Sequence, residues 1–202
     1  MGHVVVHKGE MGEAEYRQYL LLVSRWLLAR GSSLDRVPRT AANGDAARWL
    51  YVFDDEASAK ELVDELKQHT QDPGWEVAPV EGTVEEGPLR PITVEASWTA
   101  TSIGIGLDPI MEEALQTRYP RQAKYWEIWL KLTQEGRQPA AEELRELTGQ
   151  LLPVLTGLSP EQLGVYGGFE VVDPVTERVL VPFTPYPASP EGEAQVSVDT
   201  PC

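Results

Sequence analysis

The sequence predicts an α+β protein, in which a group of alternating strands and helices precedes a helical segment and a C-terminal β-hairpin. Three observations predict it. A strand–helix–strand pattern occupies residues 47–80, helical spacing of apolar residues recurs along the chain, and short runs of β-branched and aromatic residues lie between the helices. A chain of 202 residues can bury a core without disulfides or metal ions.

The first strand and the first helix are predicted close to the N-terminus. His3–His7 contains three consecutive valines, which favour a strand. Glu13–Arg30 carries tyrosines, leucines and Trp26 at helical spacing, and Gly31 is a typical residue after a helix C-terminus. Ser32–Ala46 is rich in small and polar residues with Pro and Asn-Gly, so we expect a loop there.

The strand–helix–strand pattern is the most regular stretch of the sequence. Arg48–Phe53 is apolar on both faces, which predicts a central strand. Asp54 and Asp55 follow it, and either carboxylate can cap the amphipathic helix that comes next. Trp75–Val80 reads as the second strand. We expect the two strands to run parallel with a right-handed crossover.

A linker and one more strand complete the predicted N-terminal subdomain. Glu81–Pro91 contains three Glu, two Gly and two Pro, which favours a linker, and Ile92–Trp98 alternates as strands do. The resulting order, β-α-β-α-β-β, suits a sandwich that is loosely ferredoxin-like. We therefore predict an α/β sandwich subdomain over residues 1–98.

Helices and a hairpin are predicted after this subdomain, over residues 99–184. Helical spacing and capping residues predict helices in Ile110–Tyr119, Gln122–Gln134 and Ala140–Leu155. Phe169–Val172 and Arg178–Pro182 flank an Asp-Pro turn signal and predict the hairpin. This subdomain could pack as one unit with the first. Residues 185–202 are rich in Pro, Ser and Glu and predict a flexible tail.

The stretch Thr99–Asp108 is the most site-like loop in the sequence, because a polar segment turns glycine-rich just before a predicted helix. Glycines at a helix N-terminus can cradle a phosphate, although the motifs of a P-loop and of a dinucleotide site are both missing. A turn or β-bulge is the alternative. Asp54 and Asp55, which follow the central strand, could contribute to this site or could only cap the helix that comes after them. The candidate ligand-binding residues are Thr99, Thr101, Ser102, Gly104, Gly106, Asp54 and Asp55.

Four further residues are candidates for contact with a partner protein. Arg36 and Arg39 give the predicted loop a positive character, and arginine is well suited to binding carboxylates and phosphates. Trp126 and Trp129 would share one face of a helix, and tryptophan is enriched at binding hot spots. Solubility is the alternative role for the arginines and core packing for the tryptophans.

The charge of the chain disfavours several functional classes. Seventeen basic against 32 acidic residues give a net charge of −15, which repels nucleic-acid backbones and favours a basic protein partner or, alternatively, simply solubility. No signal peptide or membrane span is predicted, so we expect a cytoplasmic protein. Cys202 is the single cysteine. His3 and His7 lie too far apart on a strand to share a metal ion.

No catalytic set, metal site or cofactor is predicted, and the sequence leans away from an enzyme. Our first hypothesis is an acidic, cytoplasmic, bacterial protein that binds another protein, as immunity proteins and antitoxins do. The bacterial origin rests on an excess of Arg over Lys, which is typical of GC-rich genes. The alternatives are a small-molecule- or nucleotide-binding domain or divalent-metal-dependent enzyme using residues 99–108 with Asp54 and Asp55, and a structural or assembly subunit that forms a homo-oligomer.

Overall fold

The computed structural model describes residues 2–43, 45–120, 127–132 and 136–186, with the backbone alone at 45–47. The fold is α+β, as predicted. The chain divides into two compact units, Met1–Arg90 and Pro91–Cys202. The division therefore comes before the strand Ile92–Trp98, which we had expected to end the first subdomain.

The described part of the first unit has the element order β-α-β-β-α-β-β. Its elements are β1 (His3–His7), α1 (Glu13–Ala29), β2 (Val37–Ala42), β3 (Asp45–Tyr51), α2 (Glu56–Thr70), β4 (Trp75–Pro79) and β5 (Glu85–Gly87). The predicted first strand, both predicted helices and both strands of the central pattern are thus present, with boundaries that differ by a few residues.

Strand β1 lies between the two strands of the central pattern in the first unit. Strand β1 pairs antiparallel with β4, and β2 lies between β3 and β5 in a second antiparallel group. Phe53, just after β3, exchanges backbone hydrogen bonds of 2.8 and 2.9 Å with His3 of β1. The chain after β3 and strand β4 therefore both run antiparallel to β1. They share a direction, as predicted, and β1 lies between them.

Two segments expected to be irregular contain strands. The predicted loop Ser32–Ala46 contains β2, and the predicted linker Glu81–Pro91 contains β5. The Asn-Gly signal marks the connection between β2 and β3, where Asn43 adopts φ of 51° as hairpin turns require. Pro38 and small residues weaken the strand signal of β2, and only its pairing on both sides reveals it.

Each helix of the first unit is fixed by a specific contact. Asp55 caps α2 by accepting a hydrogen bond from the Ser58 amide. On α1, the Tyr19 hydroxyl accepts from the Tyr51 amide at 2.8 Å, and the Tyr16 hydroxyl accepts from the Trp49 amide at 2.8 Å. These two hydroxyls attach α1 to the backbone of β3.

The second unit contains a five-stranded sheet with helices between its strands. The described elements are β6 (Ile92–Trp98), β7 (Ser102–Leu107), α3 (Pro109–Arg118), β8 (Glu127–Lys131), α4 (Ala141–Thr156), α5 (Pro160–Val165), β9 (Gly168–Val172) and β10 (Val179–Pro185). The strand order is β10-β9-β6-β7-β8, with β6 and β9 parallel and the other pairs antiparallel. The predicted C-terminal hairpin is confirmed as β9 and β10.

The core of the second unit is formed by alternate residues of the sheet and by α3, α4 and α5. Ile105 and Val171 are fully buried on the inner face of the sheet, together with Leu152 and Leu155 of α4. Pro153 does not end α4, because it lies in the last turn and the helix closes at Gly157, whose φ is 69°.

Two predictions for the second unit are wrong. Residues 99–108 are mostly a strand, since β7 begins at Ser102. Residues 127–131 of the predicted helix Gln122–Gln134 form strand β8, and Trp126 lies outside the described residues. Residues 187–202 of the predicted tail also lie outside them, while Pro185 ends β10. Among the described helices, none is long and apolar enough to cross a bilayer.

Candidate functional site

Trp129 is the most exposed tryptophan of the described chain and lies on β8, the last strand of the five-stranded sheet. Half of its surface (50%) is accessible to solvent. Exposure alternates along β8, because Glu127, Trp129 and Lys131 are exposed while Ile128 and Leu130 are partly buried against the core. This alternation is typical of a strand with one face toward the core and one face exposed to solvent. No strand among the described residues pairs with the outer side of β8.

The indole of Trp129 lies over the neighbouring strand. Trp129 stands opposite Gly104 of β7, and a Cβ added to Gly104 would be 2.7 Å from two atoms of the indole ring. Gly104 in turn stands opposite Ser97 of β6. The glycine is therefore the residue that lets a half-exposed tryptophan lie flat against the sheet.

Two carboxylates occupy the next row of the same face. Glu95 of β6, Gly106 of β7 and Glu127 of β8 are in register, so their side chains share one side of the sheet. The pKa of Glu95 is raised, first because the carboxyl is partly buried and then because Asp108 and Glu127 repel its charge. We call Glu95, Ser97, Glu127 and Trp129 together the Trp129 surface.

The Trp129 surface combines an aromatic ring with unbalanced negative charge. In the rows of Ser97 and Glu95, no basic side chain stands in register among the described residues, and Lys131 lies in the next row, opposite Ser102. Such a surface attracts cationic groups by Coulomb forces and offers the face of an indole for cation–π contact.

The predicted glycine-rich ligand loop is a β-turn followed by a central strand. Thr99 and Ser102 close the turn, since the Thr99 hydroxyl lies 2.9 Å from the Ser102 hydroxyl and accepts from the amides of Thr101 and Ser102. Gly104 and Gly106 belong to β7, which pairs with strands on both sides. Their amides therefore face neighbouring strands.

The acids predicted to join that loop cap helices. Both carboxylate oxygens of Asp55 accept hydrogen bonds from Ser58, at 2.7 Å from its amide and 2.8 Å from its hydroxyl. The hydrogen bond from the Ser58 amide is the main cause of the lowered pKa of Asp55. Asp108 accepts from the amides of Ile110 and Met111 at the start of α3. Asp54 is exposed and lies with Asp55 in the first unit, whereas residues 99–108 lie in the second.

Both arginines predicted to bind a partner make contacts within the first unit. Arg36 forms an ion pair of 2.7 Å with Glu86, and Arg39 forms one of 2.8 Å with Glu85. The Arg39 guanidinium also stacks 3.7 Å from the centre of the Trp49 ring. These contacts join β2 to β5 and β3, which gives both arginines a structural role.

The described residues hold no group of three or more His, Cys, Asp or Glu side chains placed to bind a metal ion. His7 is instead hydrogen-bonded to Asp72, with 2.8 Å between Nε2 and Oδ2. The pKa of Asp72 is lowered by the Gly74 amide and, to a smaller extent, by His7. This pair ties β1 to the segment after α2.

Sequence reasoning identified Trp129 but missed Glu95 and Glu127. The available signal was the alternation in Glu-Ile-Trp-Leu-Lys, which is that of a strand with its charged and aromatic residues on one face. The position of Glu95 beside them depends on the strand register, which no local pattern encodes. No protein-family model matches the sequence, and neither curated proteins nor solved structures gave a match.

Proposed function

We propose that this chain is an acidic, non-enzymatic protein-binding module that recognises a basic partner protein through the Trp129 surface. The half-exposed indole of Trp129 beside Glu95 and Glu127 is the observation that carries the proposal. We also propose that the protein is bacterial and cytoplasmic, and that it acts as immunity proteins or antitoxins do. The net charge of −15 supports it, because complementary charge accelerates encounter with a basic protein.

The surface has the parts that protein interfaces commonly use. A tryptophan supplies a large apolar contact. The carboxylates in the neighbouring row favour Lys or Arg on the partner. No strand in the described part of the chain covers the outer side of β8, to which an extended partner segment could add as a further strand. Charge would then set specificity and the association rate, while the indole would supply much of the binding energy.

The ligand-binding and metal-enzyme alternatives, which rest on residues 99–108 with Asp54 and Asp55, have less support. Turn formation and strand pairing occupy Thr99, Ser102 and the two glycines, and helix capping occupies Asp55. The arrangement of these groups is therefore explained by the fold itself. The assembly alternative rests on residues 185–202, and nothing in the described part of the chain favours it.

Site-specific photo-crosslinking tests the proposal. A photo-reactive phenylalanine derivative replaces Trp129 in one variant and Val175 in a control, since Val175 is 87% exposed in the turn of the β9–β10 hairpin. In the organism that encodes the protein, we expect a basic protein to crosslink from position 129 and not from position 175. That protein, once purified, should bind the chain with an affinity that falls as salt rises.

Variants then assign the interaction to the surface. Trp129→Ala should weaken binding of the purified partner at least about tenfold, as expected for a hot spot, and Glu127→Gln should mainly slow association. Val175→Ala serves as the matched control and should bind as the natural chain does. Identical crosslinks from both positions, or an unchanged affinity in Trp129→Ala, would refute the proposal.

A further inference from the structure

The first unit contains a cavity of about 470 Å³ that the proposed function does not use. Its apolar lining includes Val4 and Val6 of β1, Leu50 of β3, Ala78 of β4 and Met11. Ligand sites in proteins commonly have volumes of roughly 300–1,000 Å³ and mostly apolar walls. The cavity therefore has the size and the lining of a site for a small molecule.

Side-chain alternation explains why the lining is apolar. Val4 and Val6 share one face of β1, while Val5 points to the other face and is fully buried. Leu50 stands on the face of β3 opposite to Trp49. The buried lining residues form the inside of the cavity, and the exposed ones, which include Gly82, form its rim.

Two polar atoms of the lining residues, Thr40 Oγ1 and His7 Nδ1, are buried and make no hydrogen bond among the described residues. Thr40 is 4% exposed, and its Oγ1 makes no hydrogen bond among the described residues. A Cβ added to Gly82, on the rim, would lie 2.9 Å from this oxygen. Buried hydroxyls are almost always hydrogen-bonded, because an unsatisfied one loses its interaction with water. The Thr40 hydroxyl is therefore suited to bind the polar end of a molecule in the cavity.

The charge at the rim indicates which polar end would fit. Glu81, next to Gly82, lines the cavity with an exposed carboxylate. His7 also lines it, and its Nε2 is bonded to Asp72. No Lys or Arg side chain is among the lining residues. The hydroxyl of Thr40 can donate or accept, so the Glu81 carboxylate is the group that favours a cationic hydrogen-bond donor and disfavours an anion.

We propose that this cavity binds a small amine with an apolar body. The hydrocarbon part would contact the valines and Leu50, and the ammonium group would donate hydrogen bonds to the Thr40 hydroxyl and to the Glu81 carboxylate. A phenyl ring with a short chain is a suitable size, since benzene already fits a cavity of about 150 Å³. The cavity is lined by residues of the first unit and the Trp129 surface by residues of the second, so either proposal can fail without the other.

Three probes that share one body and differ in charge test the proposal. Calorimetric titration compares 2-phenylethylamine, 2-phenylethanol and phenylacetate against the full chain. We expect the amine to bind at least about tenfold more tightly than phenylacetate, with the alcohol between them, because charge-assisted hydrogen bonds are worth more than neutral ones. Methyl resonances of Val4, Val6 and Leu50 should shift on binding of the amine.

Variants locate the polar end of the bound amine. Thr40→Val keeps the volume of the side chain and should weaken binding of the amine by roughly three- to tenfold, as for one lost hydrogen bond. Glu81→Gln, at an exposed position, should reduce the preference for the amine over the alcohol, whereas Glu65→Gln on the exposed face of α2 should not. Equal affinity for the three probes, no binding of the amine at millimolar concentration, or shifts confined to other methyl groups would overturn the proposal.

Discussion

The indole of Trp129 occupies the space that Gly104 leaves free, since a Cβ at that glycine would lie 2.7 Å from the ring. Gly104→Ala should therefore displace the ring from the sheet. Because a half-exposed side chain can move into solvent, we expect a stability loss below about 1 kcal/mol. The ¹⁹F resonance of 5-fluorotryptophan at position 129, assigned by comparison with Trp129→Phe, should shift.

Gly164→Ala provides the matched control for this prediction. A Cβ at Gly164 meets no atom within 4 Å, so the same resonance should keep its position. An unshifted resonance in Gly104→Ala would show that the indole does not lie over the glycine.

Two further glycine contacts predict opposite effects on stability. Gly149 lies in the interior of α4, and a Cβ there would make an ordinary contact of 3.7 Å with the Phe169 ring, so Gly149→Ala should stabilise the chain by about 0.5–1 kcal/mol. A Cβ at Gly168 would collide with the backbone carbonyl of Thr184, so Gly168→Ala should destabilise it by roughly 1–3 kcal/mol. Urea unfolding measures both, and the same sign for the two would contradict the packing described.

The hydroxyl of Tyr19 stabilises the contact between α1 and β3. Tyr19→Phe leaves the Tyr51 amide without its 2.8 Å hydrogen bond in a buried environment, and we expect a loss of about 1–3 kcal/mol in the free energy of unfolding. Tyr51→Phe is the control, because the Tyr51 hydroxyl makes no hydrogen bond among the described residues. Equal losses in the two variants would argue against this role.

Glu95 should make the protein less stable as its carboxyl ionises. Its pKa is raised in the folded chain, so folding favours the protonated carboxyl, and the stability that protonation provides is lost as the pH rises from the ordinary glutamate pKa of 4.5 through the raised value. Glu95→Gln should therefore raise the melting temperature at pH 7 relative to the natural chain, and the difference should shrink toward pH 4. A difference that is constant over this range would contradict the raised pKa.

Local signals in the sequence were sufficient for elements that carry their own boundaries. Helix α2 was predicted because Asp55 caps it and an apolar stripe follows. Strand β6 was predicted with both ends correct because its residues alternate. Such signals act within a few residues and therefore survive in a single sequence.

The secondary-structure errors arose where the spacing of apolar residues fitted both a helix and a strand, or where small residues obscured that spacing. Trp126 and Trp129 are three residues apart, which is helical spacing, yet residues 127–131 form a strand whose alternation is equally visible. Strand β7 has glycines on one face and apolar residues on the other, so it resembled a loop. The ion pairs of Arg36 and Arg39 could not be predicted, because their carboxylate partners on β5 are about 50 residues away in sequence.

The candidate site was predicted only in part for the same reason. Trp129 was named from its residue type, but Glu95 comes to its side through β7, and this depends on register between strands that are distant in sequence. Pairing of that kind is set by the whole sheet and not by any window of residues.

The parallel pairing of β6 with β9 has a consequence for the order of events during synthesis. All strands of the first unit are complete once Arg90 has been made, so its pairing can begin while the ribosome is still translating. In the second unit, one side of β6 stays unpaired until Val172 has been synthesised, because β9 pairs with that side. During that interval the apolar edge formed by Ile92 and Val94 lacks its partner, and this is the period in which the nascent chain would most depend on a chaperone.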